Sequence, residues 1–299
     1  MNLSYLLIVF AAITWGSIGI AGEVLFNHGF EPQDLIWFRC AVCFIAIFLI
    51  CLIFNRSRMF INRRDWPIFV LYGLFSVAFF YYSYFNAIDQ TGVAVAAVLL
   101  YTSPAMVVIL SRFLFKESIG TIKVLCVFLT ILGCVLVVKA YDVNNLKLNQ
   151  TGIVMGLLAG FFYSTYTLFG KKTSTDYHAW TVILYSQGFG LLFLSLLHFP
   201  AAVFFRGYDA GVWFTILYIG LVPTLFANFC FNTALKNTEP GRASIVATIE
   251  PVAAAILAYF VFGQVLETVQ ILGASLIILA ALVVQLPAAN KKHLQEENE

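Results

Sequence analysis

The sequence predicts an all-α membrane protein of ten transmembrane helices arranged as two inverted five-helix repeats. Three observations lead to this prediction: an apolar composition, a series of apolar segments separated by short polar turns, and a similarity between the two halves of the chain. Of the 299 residues, 61% are hydrophobic and 11% are charged, whereas soluble domains carry about a quarter charged residues. With a mean hydropathy of +0.91, the chain requires lipid rather than water around most of its surface.

Ten segments are long and apolar enough to cross a bilayer, which takes about 20 residues because only a helix satisfies its own backbone in lipid. They cover roughly residues 3–25, 34–54, 66–88, 93–115, 119–140, 152–170, 179–199, 212–235, 241–263 and 267–288. The turns between them are short and carry residues that end helices, as at Asp89–Gly92 and Glu239–Gly241. The turns leave no room for a soluble catalytic domain.

The basic residues of the turns predict the orientation. One face of the membrane collects Arg56, Arg58, Arg63, Arg64, Lys116, Lys171, Lys172, Lys236, Arg242, Lys291 and Lys292. The other face carries Lys139, Lys147 and Arg206. Since cytoplasmic loops are enriched in Lys and Arg, the pattern predicts a multi-pass cell (inner) membrane protein with both termini in the cytoplasm, including the tail 290–299.

The second half of the chain repeats the first at an offset of 147 residues. Residues 87–138 align with 234–285 without a gap, and 14 of the 52 positions are identical. The matches include Thr91 with Thr238 and Pro104 with Pro251. Each repeat then holds five spans, in residues 1–146 and 149–289. Because five is odd, the second repeat enters the membrane from the opposite side, which is an architecture of carriers that alternate access around a midplane site.

Several motifs in both halves make the chain resemble the EamA-type exporters of the drug/metabolite transporter superfamily. They are Trp15-Gly16-Ser17, Arg39, Asn86-Ala87, Tyr101-Thr102-Ser103-Pro104, the run Ser111–Glu117, and, in the second copy, Ile249-Glu250-Pro251 through Phe262-Gly263-Gln264. The resemblance covers essentially the whole chain. It implies a ten-helix bundle with a central cavity and efflux of amino acids or similar small solutes. Gln264 departs from the Gly-Glu that usually ends this span in the family, whereas Glu117 keeps the acid in the first copy.

Glu250 is the main candidate for substrate binding or coupling. It lies eight residues beyond Arg242, so at ~1.5 Å per residue it sits about 12 Å into the membrane. An ionisable group at that depth is costly and indicates a functional site. The carboxyl group of Glu250 suits recognition of a substrate amine or proton exchange. Proton coupling is predicted from this residue alone. A structural carboxyl group that hydrogen-bonds a neighbouring helix is the alternative.

Pro104 and Pro251 occupy matching places within two predicted spans and are predicted to kink them. A proline lacks the backbone donor and clashes with the carbonyl four residues back. The freed carbonyl can then line a cavity, and the kink can act as a hinge. A static kink without a role in transport is the alternative.

Arg39 lies near the outer end of its span, and we consider two interpretations. It can pair with Glu23 as an outer gate, or its guanidinium can snorkel to the interface. Further inside, Trp15, Tyr101 and Asn228 are predicted to line a pocket for a zwitterionic or aromatic solute. Tyr81, Tyr82 and Tyr84 are interpreted as an interfacial aromatic belt.

Other functional classes lack their sequence signatures. The four histidines are scattered and none forms the His-Glu-x-x-His zinc site of an intramembrane protease. The sequence has no paired intramembrane aspartates, no phosphate-binding Gly-rich loop, and no basic–aromatic surface for nucleic acid. A sensor or scaffold would need an output domain. We therefore predict a transporter rather than an enzyme, with no cofactor, no metal and no nucleic-acid partner.

The predicted function is export of small metabolites such as amino acids or amine-bearing solutes by alternating access, in contact with the lipid bilayer and a small-molecule substrate. A nucleotide-sugar or phosphate-ester carrier is the alternative within the superfamily. It is less favoured because phosphates require several buried cations, and only Arg39 and Lys123 approach the core. A metabolite importer is the other alternative, since the sequence does not encode the direction of net flux.

Overall fold

The computed structural model describes residues 2–142 and 149–286, and throughout these ranges the regular structure is helical. Lys147, Lys291, Lys292 and the predicted tail 290–299 lie outside the described residues. The α-helices are α1 Leu3–Gly16, α2 Ile18–Asn27, α3 Pro32–Phe54, α4 Trp66–Gly73, α5 Phe80–Leu100, α6 Ser103–Leu114, α7 Thr121–Val137, α8 Gln150–Asp176, α9 Ala179–Leu197, α10 Ala210–Ile219, α11 Ala227–Leu235, α12 Pro240–Ala247, α13 Glu250–Phe262 and α14 Thr268–Val283.

Within the described ranges, seven helical segments are long and apolar enough to cross a membrane, and three shorter apolar helices accompany them. The seven are Leu3–Asn27, Pro32–Phe54, Arg63–Leu100, Gln150–Asp176, Ala179–Leu197, Ala210–Leu235 and Pro240–Phe262. The shorter helices are α6, α7 and α14. The chain is therefore a multi-pass membrane protein that is all-α over the described residues.

Polar side chains fix where several helices begin. Asp34 accepts a hydrogen bond from the backbone N–H of Glu31 at 3.0 Å, and Pro32 opens α3. Asn149 accepts from the N–H of Thr151 at 2.8 Å at the start of α8. These contacts satisfy N–H groups that lack a partner in the first turn of a helix. They place polar residues at the helix ends and leave apolar ones in the spans.

The predicted turn at Asp89–Gly92 is reduced to one residue. The helical assignment continues to Leu100, and only Gly92 leaves helical geometry, with φ 81° and ψ 166°. Glycine reaches positive φ without the steric cost of a Cβ atom. The two helical parts of α5 therefore meet at Gly92, without the four-residue turn that the sequence predicts.

Two spans are broken rather than kinked. Tyr101 and Thr102 separate α5 from α6, and Thr248 and Ile249 separate α12 from α13. The offset of 147 residues places these two breaks at the same position of the repeat. Pro104 and Pro251 lie in the first turns of α6 and α13, where the missing N–H would have had no helical partner. Each span is thus interrupted just before its proline, which begins the next helix, and the predicted hinge or cavity role of the two prolines stays a prediction.

A second pair of irregular segments also follows the repeat. The chain forms π-helix over Leu74–Phe79 and over Gly220–Phe226. Adding 147 to the first range gives 221–226, so the two segments are equivalent. π-helix is rare and is frequent at functional sites. Pro223 lies inside the second segment.

Glycines bring α8 against α5. A Cβ atom added at Gly156 would lie 2.4 Å from Leu99 Cδ1, and one added at Gly160 would lie 2.8 Å from the carbonyl oxygen of Leu99. Small residues at four-residue spacing let two membrane helices approach closely. This contact joins the two repeats beside the break at Tyr101 and Thr102.

We expect Gly160→Ala to destabilise the protein. Ala favours a helix over Gly by about 1 kcal/mol, but the added methyl group would overlap the Leu99 carbonyl, and overpacking costs about 1–3 kcal/mol. Thermal unfolding in detergent should therefore occur at a lower temperature.

Gly19→Ala is the matched control, because a Cβ atom at Gly19 meets nothing within 4 Å. Its unfolding temperature should be unchanged or higher. Equal unfolding temperatures for both variants would contradict close packing of α8 on α5.

Candidate functional site

A cavity of about 400 Å³ lies between the helices at the level of the two breaks. Tyr101, at the end of α5, and Glu250, at the start of α13, both line it. The cavity extends to Phe26 and Pro32, beside the adjoining ends of α2 and α3. We call this end of the bundle the open end. The volume falls within the range of about 300–1,000 Å³ that is usual for small-molecule sites.

Five of the predicted site residues lie together on the wall of this cavity. They are Trp15, Arg39, Tyr101, Asn228 and Glu250. The helix breaks bring Tyr101 and Glu250 to the cavity, whereas Trp15 and Asn228 reach it from α1 and α11. The remaining three candidates, Pro104, Pro251 and Glu23, do not line it.

Glu250 presents a carboxylate to the cavity from the first residue of α13. The residue is partly exposed, and its Oε2 atom accepts a hydrogen bond from the Tyr163 hydroxyl at 3.4 Å. Within the described residues, no Lys or Arg pairs with this carboxylate at salt-bridge distance. A long contact to a single neutral donor leaves capacity for a cationic or hydrogen-bonding ligand.

Asn228 belongs to a buried polar network that joins α8 to α11. The Tyr166 hydroxyl donates to Asn228 Oδ1 at 2.9 Å, and Asn232 Nδ2 donates to the carbonyl of Asn228 at 2.8 Å. The ring of Trp15 packs edge-on against Tyr166, with centroids 6.1 Å apart. These contacts fix the aromatic wall of the cavity and orient the Asn228 amide.

Arg39 takes neither of the two predicted arrangements. Its residue surface is 9% exposed, and its Nε atom donates to Thr224 Oγ1 at 3.1 Å. The guanidinium carbon lies 5.6 Å from the centroid of the Tyr81 ring. Glu23 is exposed and forms no ion pair with it. The snorkelling arginine is therefore wrong, because the π-helical segment Gly220–Phe226 holds the side chain inside. The pair with Glu23 is not formed in this conformation, in which this end of the bundle is open, and the outer gate stays a prediction.

The predicted aromatic belt is also wrong for two of its three members. Tyr81 and Tyr84 line the cavity, whereas Tyr82 is 55% exposed on the outer surface. Helical spacing alone separates them, since residues three apart share a face that their neighbours do not. Thr224, the hydrogen-bond partner of Arg39, was absent from the predicted site. Pro223, a proline inside a span, was the sequence signal for an irregular segment beside Thr224.

The cavity is shut off on the side away from the open end, which we call the closed end. Between the two lie Tyr72, Phe231, Leu235, Ile245 and Val246, each at most 1% exposed. These side chains form tightly buried, mostly apolar packing between the cavity and the closed end.

Ion pairs cover this packing at the closed end. Lys123 Nζ lies 3.1 Å from Glu117 Oε2 and 2.9 Å from Glu239 Oε2. Arg242 pairs with the same Glu239 oxygen at 2.9 Å and donates to the carbonyls of Val284 and Leu286. The cluster thus ties the loop before α7, the start of α12 and the end of α14.

The surroundings of Glu117 and Glu239 shift their pKa values in opposite directions. Burial raises the pKa of Glu117, and Lys123 offsets only part of this effect. Burial also acts to raise the pKa of Glu239, but Lys123 and Arg242 outweigh it, so this pKa lies below its usual value. Glu239 therefore stays ionised at neutral pH and provides the shared anion of the cluster.

No group of His, Cys, Asp and Glu in residues 2–142 and 149–286 is arranged to hold a metal ion. The cavity is lined by one carboxylate, one guanidinium, amides, hydroxyls and aromatic rings. These groups are suited to binding a small solute.

Comparison with known proteins identifies the family. The model of the EamA-like transporter family matches residues 2–139 and again 150–286. An uncharacterized transporter of Archaeoglobus fulgidus is 28% identical over 92% of this chain and 94% of its own. The uncharacterized transporter YwfM of Bacillus subtilis is 26% identical over 97% and 96%. The uncharacterized inner membrane transporter YicL of Salmonella typhimurium is 20% identical over 95% of each chain.

A solved crystal structure has the same fold. It superposes with a TM-score of 0.77 over 95% of this chain and 97% of the other, at 18% identity. The family match covers both halves of the chain, and these relatives are named as transporters. The chain is a membrane transporter that belongs to the EamA-like transporter family.

Proposed function

We propose that this transporter is a secondary carrier that exports small metabolites, such as amino acids or amine-bearing solutes. It would do so by alternating access between two inverted halves of five transmembrane helices each. The observation that carries this proposal is the position of Glu250, an unpaired carboxylate on a cavity that lies at equivalent helix breaks of the two repeats. Broken helices around a midplane site are a recurring design of secondary transporters.

The packing of equivalent segments supports the inversion. Helix α3 packs against α9, and α7 packs against α14. Each pair joins the same segment of the two repeats. Such mutual contacts are expected when two repeats are related by a two-fold axis in the membrane plane. They support the ten-span, two-halved arrangement that the sequence predicts.

The positions of the basic residues, together with the shape of the cavity, indicate on which side of the membrane the open end lies. Lys116, Lys171, Lys236 and Arg242 cluster at the closed end, which the positive-inside rule assigns to the cytoplasm. The open end would then face outward, and the structure would correspond to an outward-open state. The name of the relative YicL supports placement in the inner membrane.

A nucleotide-sugar or phosphate-ester carrier fits the cavity less well. Arg39 is the cation among the residues that line it, while Lys123 is held by two carboxylates. Phosphate recognition usually takes several cationic donors. Import rather than export remains the other alternative, and flux measurements in both directions separate the two.

We expect Glu250→Gln to abolish or strongly reduce export. The protein would be overproduced in a transporter-depleted bacterium challenged with toxic amino-acid analogues, amines and dyes, with intracellular solute measured. Because a hydrogen bond to a charged group contributes about 1.5–3 kcal/mol, loss of the carboxylate should lower the rate of export at limiting solute at least about tenfold.

Glu267→Gln is the matched control, since Glu267 lies at the surface and pairs with Lys139 away from the cavity. It should retain resistance at an equal amount of protein in the membrane. Unchanged export by Glu250→Gln would reduce Glu250 to a structural residue. Uptake driven by the wild-type protein, without export, would favour the importer.

We expect Lys123→Met to open the closed end more often. The change removes the cation that holds Glu117 and Glu239 together and leaves two carboxylates that repel each other. Cys126 lies one turn further along α7 and is 0% exposed, so it can report the opening. In a background where Cys126 is the sole cysteine, labelling by a polar thiol reagent should become faster, by on the order of tenfold.

Lys139→Met is the control, because it breaks an ion pair with Glu267 at the other end of α7. It should leave the labelling rate of Cys126 at the wild-type value. The same slow labelling in Lys123→Met would show that the apolar packing alone keeps this end shut.

A further inference from the structure

A buried guanidinium on the wall of the cavity has neutral partners. Arg39 is 9% exposed, donates to the hydroxyl of Thr224 and lies over the ring of Tyr81. In residues 2–142 and 149–286, no carboxylate lies at salt-bridge distance from it. Other cations near the core are paired, as Lys123 is with Glu117. Arg39 is thus a cation without a carboxylate at salt-bridge distance, and Glu250 is the acidic side chain among the residues that line the same cavity.

A charge in this position is costly unless something compensates it. Arginine within a membrane span is rare and usually pairs with an anion or faces a functional path. Its guanidinium carries five donors in a planar fork that matches a carboxylate in two-point geometry. The Nε–H group of Arg39 donates to Thr224, and Arg39 lines the cavity. The N–H groups of its two terminal nitrogens are the donors that remain for a ligand.

We propose that Arg39 binds the carboxylate of the transported solute, and that the cavity selects solutes carrying this group. The inference rests on the proposed function, and it narrows the substrate class from amine-bearing solutes in general to those with a carboxylate. Glu250, on the same wall, offers the complementary site for an amine. A zwitterionic solute would span the two, with its side chain against Trp15 and Tyr84.

A purely structural role for Arg39 makes a different prediction. Thr224 Oγ1 also donates to the carbonyl of Ile219 at 2.8 Å, within the π-helical segment. If Arg39 served only to hold this segment in place, its loss would disturb every ligand to a similar degree. Recognition of a carboxylate instead affects only ligands that carry one.

A second source of negative charge is an inorganic anion such as chloride. Its single charge would neutralise the guanidinium without any contribution from the solute. Competition between chloride and a carboxylate ligand separates the two sources, since the same donors cannot serve both.

The experiment uses the full-length purified transporter and three probes of one shape, chosen because the cavity is lined by aromatic rings. L-phenylalanine carries both charged groups, 3-phenylpropanoate only the carboxylate, and 2-phenylethylamine only the amine. Binding is measured in chloride-free gluconate buffer for wild type, Arg39→Gln and Arg39→Lys. Arg112→Gln is the matched control, because Arg112 is exposed at the end of α6. Thermal unfolding verifies that each variant is folded.

Arg39→Gln should weaken binding of L-phenylalanine and 3-phenylpropanoate about 10-fold to 100-fold, the usual effect of losing a hydrogen-bonded charge. Binding of 2-phenylethylamine should stay the same or become tighter. Arg39→Lys should recover part of the affinity, since it keeps the charge and loses the fork. Arg112→Gln should match the wild type for all three probes.

Three results would overturn the proposal. An equal loss for all three probes would assign Arg39 a structural role. Competition by chloride that disappears in Arg39→Gln, with unchanged carboxylate affinity in gluconate, would assign it an inorganic anion. Failure of the wild-type protein to bind either carboxylate probe would contradict a cavity that selects solutes through their carboxylate. Absence of export with carboxylate binding intact would instead refute the proposed function and leave the Arg39 site standing.

Discussion

Lipid tails cannot hydrogen-bond the N–H and C=O groups of a polypeptide backbone. The cavity that forms the candidate site depends on how this protein satisfies those groups where its helices are interrupted. A helix can be interrupted in lipid only where its freed backbone groups face protein or a polar cavity. Two equivalent interruptions lie beside the cavity, at Tyr101–Thr102 and Thr248–Ile249, and each contains a threonine whose hydroxyl bonds to the preceding turn. Thr102 Oγ1 donates to the carbonyl of Leu99 at 2.6 Å, and Thr248 Oγ1 donates to that of Ile245 at 2.5 Å. The breaks place Glu250 at a helix start, where the N-terminal dipole favours its negative charge.

The two repeats share a fold but differ in charge, and this difference distinguishes the two ends. At the closed end, Lys123 pairs with Glu117 and Glu239. The repeat-equivalent positions are Gln270, Gln264 and Gly92. Gln270 bonds instead to the carbonyl of Val137 at 2.8 Å. The cluster of Lys123, Glu117 and Glu239 therefore has no charged equivalent at these positions of the other end, which agrees with a structure that is closed at the first end and open at the other.

The sequence predicted the helical class and much of the cavity wall, because apolar segments and intramembrane polar residues are local signals, and the resemblance of its motifs indicated the family. Trp15, Tyr101, Asn228 and Glu250 were identified by depth and residue type, and all four line the cavity. The place of Arg39 was not predictable, since its partner Thr224 lies 185 residues away and reaches it through a π-helical turn. Likewise, a proline within an apolar run does not distinguish a kink from the first turn of a new helix.

The central claim is that access to the cavity alternates between the two ends, and paired spin-label distances test it most directly. One pair would join Asn27 and Asp89 at the open end, and the other would join Ile119 and Asn237 at the closed end, all exposed positions. On addition of a transported solute, we predict that the first distance shortens while the second lengthens. Distances that both stay fixed, or that both change in the same direction, during demonstrated transport would contradict alternating access.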